Sequence, residues 1–197
     1  MFFLQDFLFH FLHFYTTDNR YFISHFTNEI LNQLNKKENV IPTFYLKRIK
    51  TDKWYYTFCS SEATKYIVKY LLTRQNLKMS DKLFDFTYST LLARFQEIND
   101  YYNWGFKGKY RFFRSHTLRK FHASNIGLSA EYIDALQGRS KNEIHSTYIK
   151  TNPDKLKEIY LSVMDNVMIN KSESKEVTQE FTIVINVFLS GKEYNIM

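Results

Sequence analysis

His116 and Arg119 stand three residues apart in the stretch Phe112 to Tyr148, FFRSHTLRKFHASNIGLSAEYIDALQGRSKNEIHSTY. On a helix that spacing puts both side chains on one face, a turn apart. A second arginine follows at Gly138-Arg139, and Tyr148 lies nine residues beyond it. Two guanidiniums, an imidazole and a phenol suit one kind of chemistry. The cations hold a phosphate and neutralise charge building on its oxygens, while the phenolate attacks phosphorus.

The stretch resembles the C-terminal half of the catalytic domain of tyrosine recombinases, the phage-integrase family. That family carries H-x-L-R at the start of a helix, then a Leu-Gly-His or Leu-Gly-Trp step, then a tyrosine nine residues on. The matching residues are His116-Thr117-Leu118-Arg119, Leu136-Gln137-Gly138-Arg139 and Tyr148. Arg139 stands where the family has His or Trp. It can donate to a phosphate oxygen but cannot act as a general acid or base near neutral pH.

The resemblance implies further site residues. Arg20, at the first turn of a helix after Thr16-Thr17-Asp18-Asn19, corresponds to the family's first catalytic arginine, without the usual glycine before it or acidic residue after it. Lys50 corresponds to the hairpin lysine that reaches the minor groove and protonates the leaving 5′ oxygen, with Lys53 as the fallback. Tyr148 is then the nucleophile that forms a 3′-phosphotyrosyl link. Arg20, Arg119 and Arg139 hold the non-bridging oxygens, and His116 assists proton transfer. The implied partner is double-stranded DNA, bound by a homo-oligomer, a tetramer on DNA, with no membrane involved. The implied fold is an α+β, mainly α-helical, integrase-type catalytic domain over residues 1–170. A small β-hairpin lies on one side, and a C-terminal linker and strand over 171–197 are a candidate for exchange in trans. No metal or other cofactor is expected, because guanidiniums supply the charge and no carboxylate cluster is spaced for magnesium. The resemblance spans about Arg20 to Ile169 and is specific from His116 to Tyr148. The N-terminal clamp domain usual in the family has no counterpart, which makes the chain a short member or a truncated remnant.

Composition agrees with an anionic partner. The 197 residues include 27 Lys and Arg against 20 Asp and Glu, a net charge of +7. Charge alone does not separate nucleic acid from a membrane surface. Hydrophobic residues make up 44% and charged residues 24%, which indicates a globular domain rather than a disordered chain. The single cysteine, Cys59, excludes an internal disulfide and a cysteine-built zinc site, and points to an intracellular, cytoplasmic protein.

The elements that must position these residues follow from periodicity. Phe3, Leu4, Phe7, Leu8, Phe11 and Leu12 have helical spacing. Polar residues interrupt that run, and neither a signal-peptide pattern nor a membrane span fits it. A second helix is expected from about Arg20 to Leu34, then a loop at Lys36–Asn39. Strands follow at Thr43–Ile49 and Trp54–Phe58, joined by Lys50-Thr51-Asp52-Lys53. Ser60-Ser61-Glu62-Ala63 caps a helix running to about Arg74, with Ala63, Ile67, Tyr70 and Leu71 inward. After a loop at Asn76–Asp85, Tyr88–Tyr102 is helical, with Leu91, Leu92, Phe95 and Ile98 inward. Gly105–Arg111 reads as a basic, glycine-containing loop whose backbone and lysines can lie along a phosphate strand.

The central helix starts at His116. Another starts at Ser129 and stops at Gly138, and Ser140–Glu143 begins the helix bearing Tyr148. Asn152-Pro153 ends it, and Lys155–Ile169 forms the next. There Tyr160, the rival nucleophile among fifteen tyrosines, sits on the apolar side and reads as core or interface. His122 and His145 match no motif and read as structural. Lys171–Glu176 is a charged linker and Val177–Leu189 a terminal strand. Two other readings share the basic surface: a DNA-binding remnant without turnover, and a type IB topoisomerase-like enzyme that relaxes DNA by the same chemistry. A membrane-surface protein is a third.

Overall fold

The computed structural model describes residues 25–28, 30, 41–49, 52–74, 76, 78–139 and 152–168. The expected helix at Phe3–Leu12, Arg20, the loop at Lys36–Asn39, Lys50, the helix bearing Tyr148, the Lys171–Glu176 linker and the Val177–Leu189 strand lie outside these residues.

The described chain is mixed α+β, with two small antiparallel sheets. The first sheet pairs Thr43–Arg48 (β1) with Lys53–Phe58 (β2), in the register Phe44 with Thr57, Leu46 with Tyr55 and Arg48 with Lys53. Paired residues on an antiparallel ladder share a face. One face therefore carries Phe44, Leu46, Tyr55 and Thr57, all buried, and ends in Arg48 and Lys53 at the turn. The other face carries Tyr45, Trp54, Tyr56 and Phe58. Tyr45 stacks on Trp54 at 4.8 Å and on Tyr56 at 4.5 Å between ring centroids. Asp52 closes the turn in the left-handed region, φ 53°, which Asp tolerates better than most side chains. The strands differ from expectation by a residue at the turn: Ile49 leaves the ladder and Lys53 joins it.

The hairpin sits between two apolar clusters. On one side Phe44, Leu46 and Tyr55 pack with Phe26 and Ile30, which lie in a helical segment, and with Ala63, Ile67, Phe95, Phe113 and Leu118. On the other, Phe58 packs with Ile126, Ile133, Leu136, Leu156 and Tyr160. Burial of this apolar surface is the main force holding the hairpin against the helices.

Ser61–Leu72 (α1) starts where Ser60 Oγ accepts from the Ala63 backbone N–H, and ends two residues before Arg74. Arg74 turns back to donate to the carbonyls of Lys82 (2.9 Å) and Leu83 (3.3 Å) and to pair with Asp85. That arrangement folds the following loop so that Leu83 and Phe84 reach the core. Tyr88–Tyr101 (α2) is capped by Thr87 and buries Leu91 and Phe95 as its spacing predicts.

The glycine-containing segment after α2 is an ordered hairpin rather than a plain loop. Phe106–Lys107 (β3) pairs with Tyr110–Arg111 (β4) across Gly108-Lys109. The reason is Asn99, which is buried on α2. Its Nδ2 donates to the Gly105 carbonyl (3.1 Å), and its Oδ1 accepts from the Phe113 backbone N–H (2.8 Å). One side chain thus ties both ends of the hairpin to the helix.

Ser115–Asn125 (α3) begins one residue before His116, and Ala130–Leu136 (α4) ends at Gly138, φ 62°. Pro153–Val163 (α5) begins earlier than expected. Asn152 Oδ1 accepts from the Lys155 N–H and Pro153 takes the first turn, so Asn152-Pro153 opens this helix. It ends before Ile169, passing into a 3-10 turn at Met164–Asn166 whose Asn166 donates to the Ile126 carbonyl at 3.1 Å. Asp and Asn bond to nearby backbone readily and disfavour helix continuation there. Tyr160 is 2% exposed and packs on Phe58, so it is a core residue.

Candidate active site: a cluster of guanidiniums

α3 supplies the first two groups. Leu118 and His122 face the core, so the helix presents His116 outward and leaves Arg119 partly buried between core and surface. α4 supplies the third. Its last turn closes at Gly138, whose left-handed backbone redirects the chain and aims Arg139 back along the helix. The Arg139 N–H donates to the Asp134 carbonyl (2.7 Å) and its Nη2 pairs with the Asp134 carboxylate (3.1 Å). Arg139 Nε is buried and has no hydrogen-bond partner among the described residues. A buried donor of this kind is costly unless a ligand accepts from it.

Gln137, 1% exposed, joins α4 to α3. Its Nε2 lies 3.3 Å from the Arg119 carbonyl and 3.0 Å from His122 Nδ1. This fixes the register in which Arg119 and Arg139 approach one another. It also gives His122 the structural role its lack of a motif suggests.

The β1–β2 hairpin contributes two residues that the motifs did not single out, Arg48 and Tyr55. Arg48 Nη1 donates to the Gly138 carbonyl at 3.0 Å. The Tyr55 ring lies against Gly138 so closely that a Cβ there would sit 2.7 Å from Cδ1. The alternation Phe44, Leu46, Arg48 carried the signal: an arginine that continues an inward-facing apolar row is turned toward the interior.

The charges of these groups act on one another. Burial holds the Arg119 guanidinium below its ordinary value. The Tyr55 phenol opposes that shift, and the charges of Arg48 and Arg139 add to it. Burial raises the Tyr55 phenol well above its ordinary value, with Arg119 and Arg48 pulling it down. Partial desolvation lowers His116, followed by the charges of Lys120, Arg114, Arg119 and Arg139. Like charges that act on one another are unfavourable by themselves and become favourable around an anion.

Of the expected site residues, His116 and Arg119 lie on α3, and Arg139 follows the end of α4, whose neighbour Gln137 bonds to the Arg119 carbonyl. Arg20, Lys50 and Tyr148 lie outside the described residues. Lys53, the alternative to Lys50, is paired with Arg48 across the ladder on the face that carries Tyr55. Among the described residues no helix is long and apolar enough to cross a membrane, and no cluster of His, Cys, Asp or Glu is arranged to hold a metal.

Comparison with known proteins adds no family to this geometry: no protein-family model matches the chain, and no curated protein or solved structure matches it significantly.

Proposed function

We propose that this chain is a DNA strand transferase of the tyrosine-recombinase type, a site-specific recombinase or integrase working through a 3′-phosphotyrosyl intermediate. The observation that carries the reading is the convergence of Arg48, Arg119 and Arg139 from three separate elements, with His116 at the rim. Guanidiniums donate in a planar fork matched to phosphate oxygens, and a partly buried set of them stabilises charge more strongly than one in water.

In this mechanism the Tyr148 phenolate oxygen attacks phosphorus, and the bond from phosphorus to the 5′ oxygen breaks. Lys50 gives its proton to that departing oxygen. Arg119, Arg139 and Arg20 hold the two non-bridging oxygens, and Arg48 adds to the field of the pocket. His116, held toward its neutral form, donates or accepts at the rim. An ordinary phenol has a pKa near 10, so the surrounding cations favour its ionised form at the moment of attack. The phosphotyrosyl bond conserves the phosphodiester energy, and a second 5′ hydroxyl reverses the step to complete strand exchange. A homo-oligomer assembled on duplex DNA brings two such sites together.

The test is a pool of nicked duplexes covering the DNA that flanks the coding sequence, from which the short fragment carrying the freed 5′ hydroxyl is lost by diffusion. The expected product is a protein–DNA species that survives denaturing electrophoresis and disappears on protease treatment. Binding to the pool without any such species would leave the chain a DNA-binding protein without turnover.

A further inference from the structure

The face of the β3–β4 hairpin beside His116 combines exposed rings and cations that the pocket chemistry does not use. Lys107 and Tyr110 are cross-strand partners and so share that face. Tyr110 is 48% exposed, with the Arg114 guanidinium 4.2 Å and Lys109 Nζ 5.3 Å from its ring centre. Phe112, two residues beyond Tyr110 in the chain, is 48% exposed, while Phe106 pairs with Arg111 on the opposite face. Arg114 is the residue at the start of α3, two residues before His116, so the hairpin face adjoins the helix that carries His116 and Arg119.

Two features argue that this surface receives a ligand. It is held in place before any ligand arrives: Asn99 ties both ends of the hairpin to α2, and Arg111 makes two 2.9 Å bonds to the Asp100 carboxylate. Its cations are also available, since neither Lys107 nor Lys109 nor Arg114 has an ion-pair partner among the described residues. Exposed rings interleaved with unpaired cations fit a ligand that is both flat and anionic. Stacked bases inside a duplex offer no ring faces to such a surface, whereas unpaired bases do.

We infer that the Lys107–Tyr110 face of this hairpin, with Arg114, is a stacking site for unpaired bases of single-stranded DNA next to the phosphate held by the guanidinium cluster. The inference rests on the proposed DNA reading and names the state of the DNA that the site takes. The phosphates run past Lys107, Lys109 and Arg114, and a base stacks against Tyr110. An acidic protein segment is the competing occupant, and charge alone would serve it equally well. The ring at position 110 would then matter little.

The experiment uses the full chain carrying Tyr148→Phe, so that binding is read without cleavage. Fluorescence anisotropy follows a labelled dT oligonucleotide and, separately, a blunt duplex of equal charge. Tyr110→Ala and Tyr110→Leu are both expected to weaken single-strand binding by about tenfold. Duplex binding should stay within about twofold, and Tyr110→Phe should restore the wild-type value. Tyr88→Ala, which removes an exposed ring at the far end of α2, should leave both unchanged. Equal loss of single-strand and duplex binding, no loss in either, or displacement of the oligonucleotide by poly-glutamate at equal charge would overturn the inference. The test does not depend on strand transfer, so adducts without ring-dependent binding would reject the stacking site alone. Ring-dependent binding without adducts in the Tyr148-bearing protein would reject the strand-transfer reading alone.

Discussion

Arg48 donates through Nη1 to the carbonyl of Gly138 at 3.0 Å, across ninety residues of sequence. The bond ties the hairpin to the end of α4, and it places a third guanidinium beside Arg119 and Arg139. Arg48→Ala removes both effects. A charge-assisted bond of this kind contributes about 1.5–3 kcal/mol, which a denaturant midpoint will show as lost stability. Arg48→Lys keeps the charge but not the planar fork, so it should recover less than half of the lost DNA affinity. Full recovery with lysine would show that only charge matters at this position.

Gly138 has a positive φ and a ring against its Cα. Gly138→Ala places Cβ 2.7 Å from Tyr55 Cδ1 and forces an alanine into φ 62°. Gly105 has nearly the same φ, 66°, with open space around it. The backbone penalty alone is about 1–2 kcal/mol, so Gly105→Ala should cost about that much. Gly138→Ala should cost at least about 1 kcal/mol more, from the displaced ring. Thermal melts of the two variants, run side by side, measure the difference. Equal costs would mean that Tyr55 moves aside freely.

His116 should titrate below its ordinary range. Desolvation and four positive neighbours disfavour its charged form. The group therefore contributes stability that is fully present above its unfolded pKa near 6.5 and is lost as pH falls through the folded pKa. An NMR titration of the imidazole should show a midpoint below 6.5. Lys120→Ala should move the midpoint upward, and so should a saturating oligonucleotide phosphate. Tyr55 acts at the other end of the scale. Its contribution to stability is fully present below its unfolded pKa near 10 and is lost as pH rises through the raised folded value.

Asn99 is buried and makes bonds in both directions, to the Gly105 carbonyl and from the Phe113 N–H. Asn99→Ala leaves both backbone groups without that partner, at about 1–3 kcal/mol. Amide exchange at Phe112 and Phe113 should quicken more than exchange in α1. Uniform quickening throughout would mean that the side chain supports the whole fold and not the hairpin in particular.

Much of this was readable from the residues. Ser60 is a polar side chain at a helix start, and it caps α1 as its position suggests; Asn152, read as ending the preceding helix, instead caps α5. The apolar spacing of Leu91 and Phe95 gave the buried side of α2. Other features depended on contacts distant in sequence. Nothing near Gly105 announces that Asn99 will order the following hairpin. Arg48 reaches the Gly138 carbonyl only because β1 folds against the end of α4, although its place in the inward row of β1 was a usable sign. The 3-10 turn at Met164–Asn166 depends on the carbonyl of Ile126, forty residues away, to which Asn166 donates.

The most direct measurement is the chemical identity of the residue joined to DNA. Wild-type protein is trapped on a nicked duplex, digested with protease and nuclease, and analysed by mass spectrometry. The account predicts a 3′-nucleotide on Tyr148, no adduct in Tyr148→Phe, and loss of adduct by at least about 100-fold in Arg119→Ala. An adduct on another residue, or one that persists in Tyr148→Phe, would contradict it.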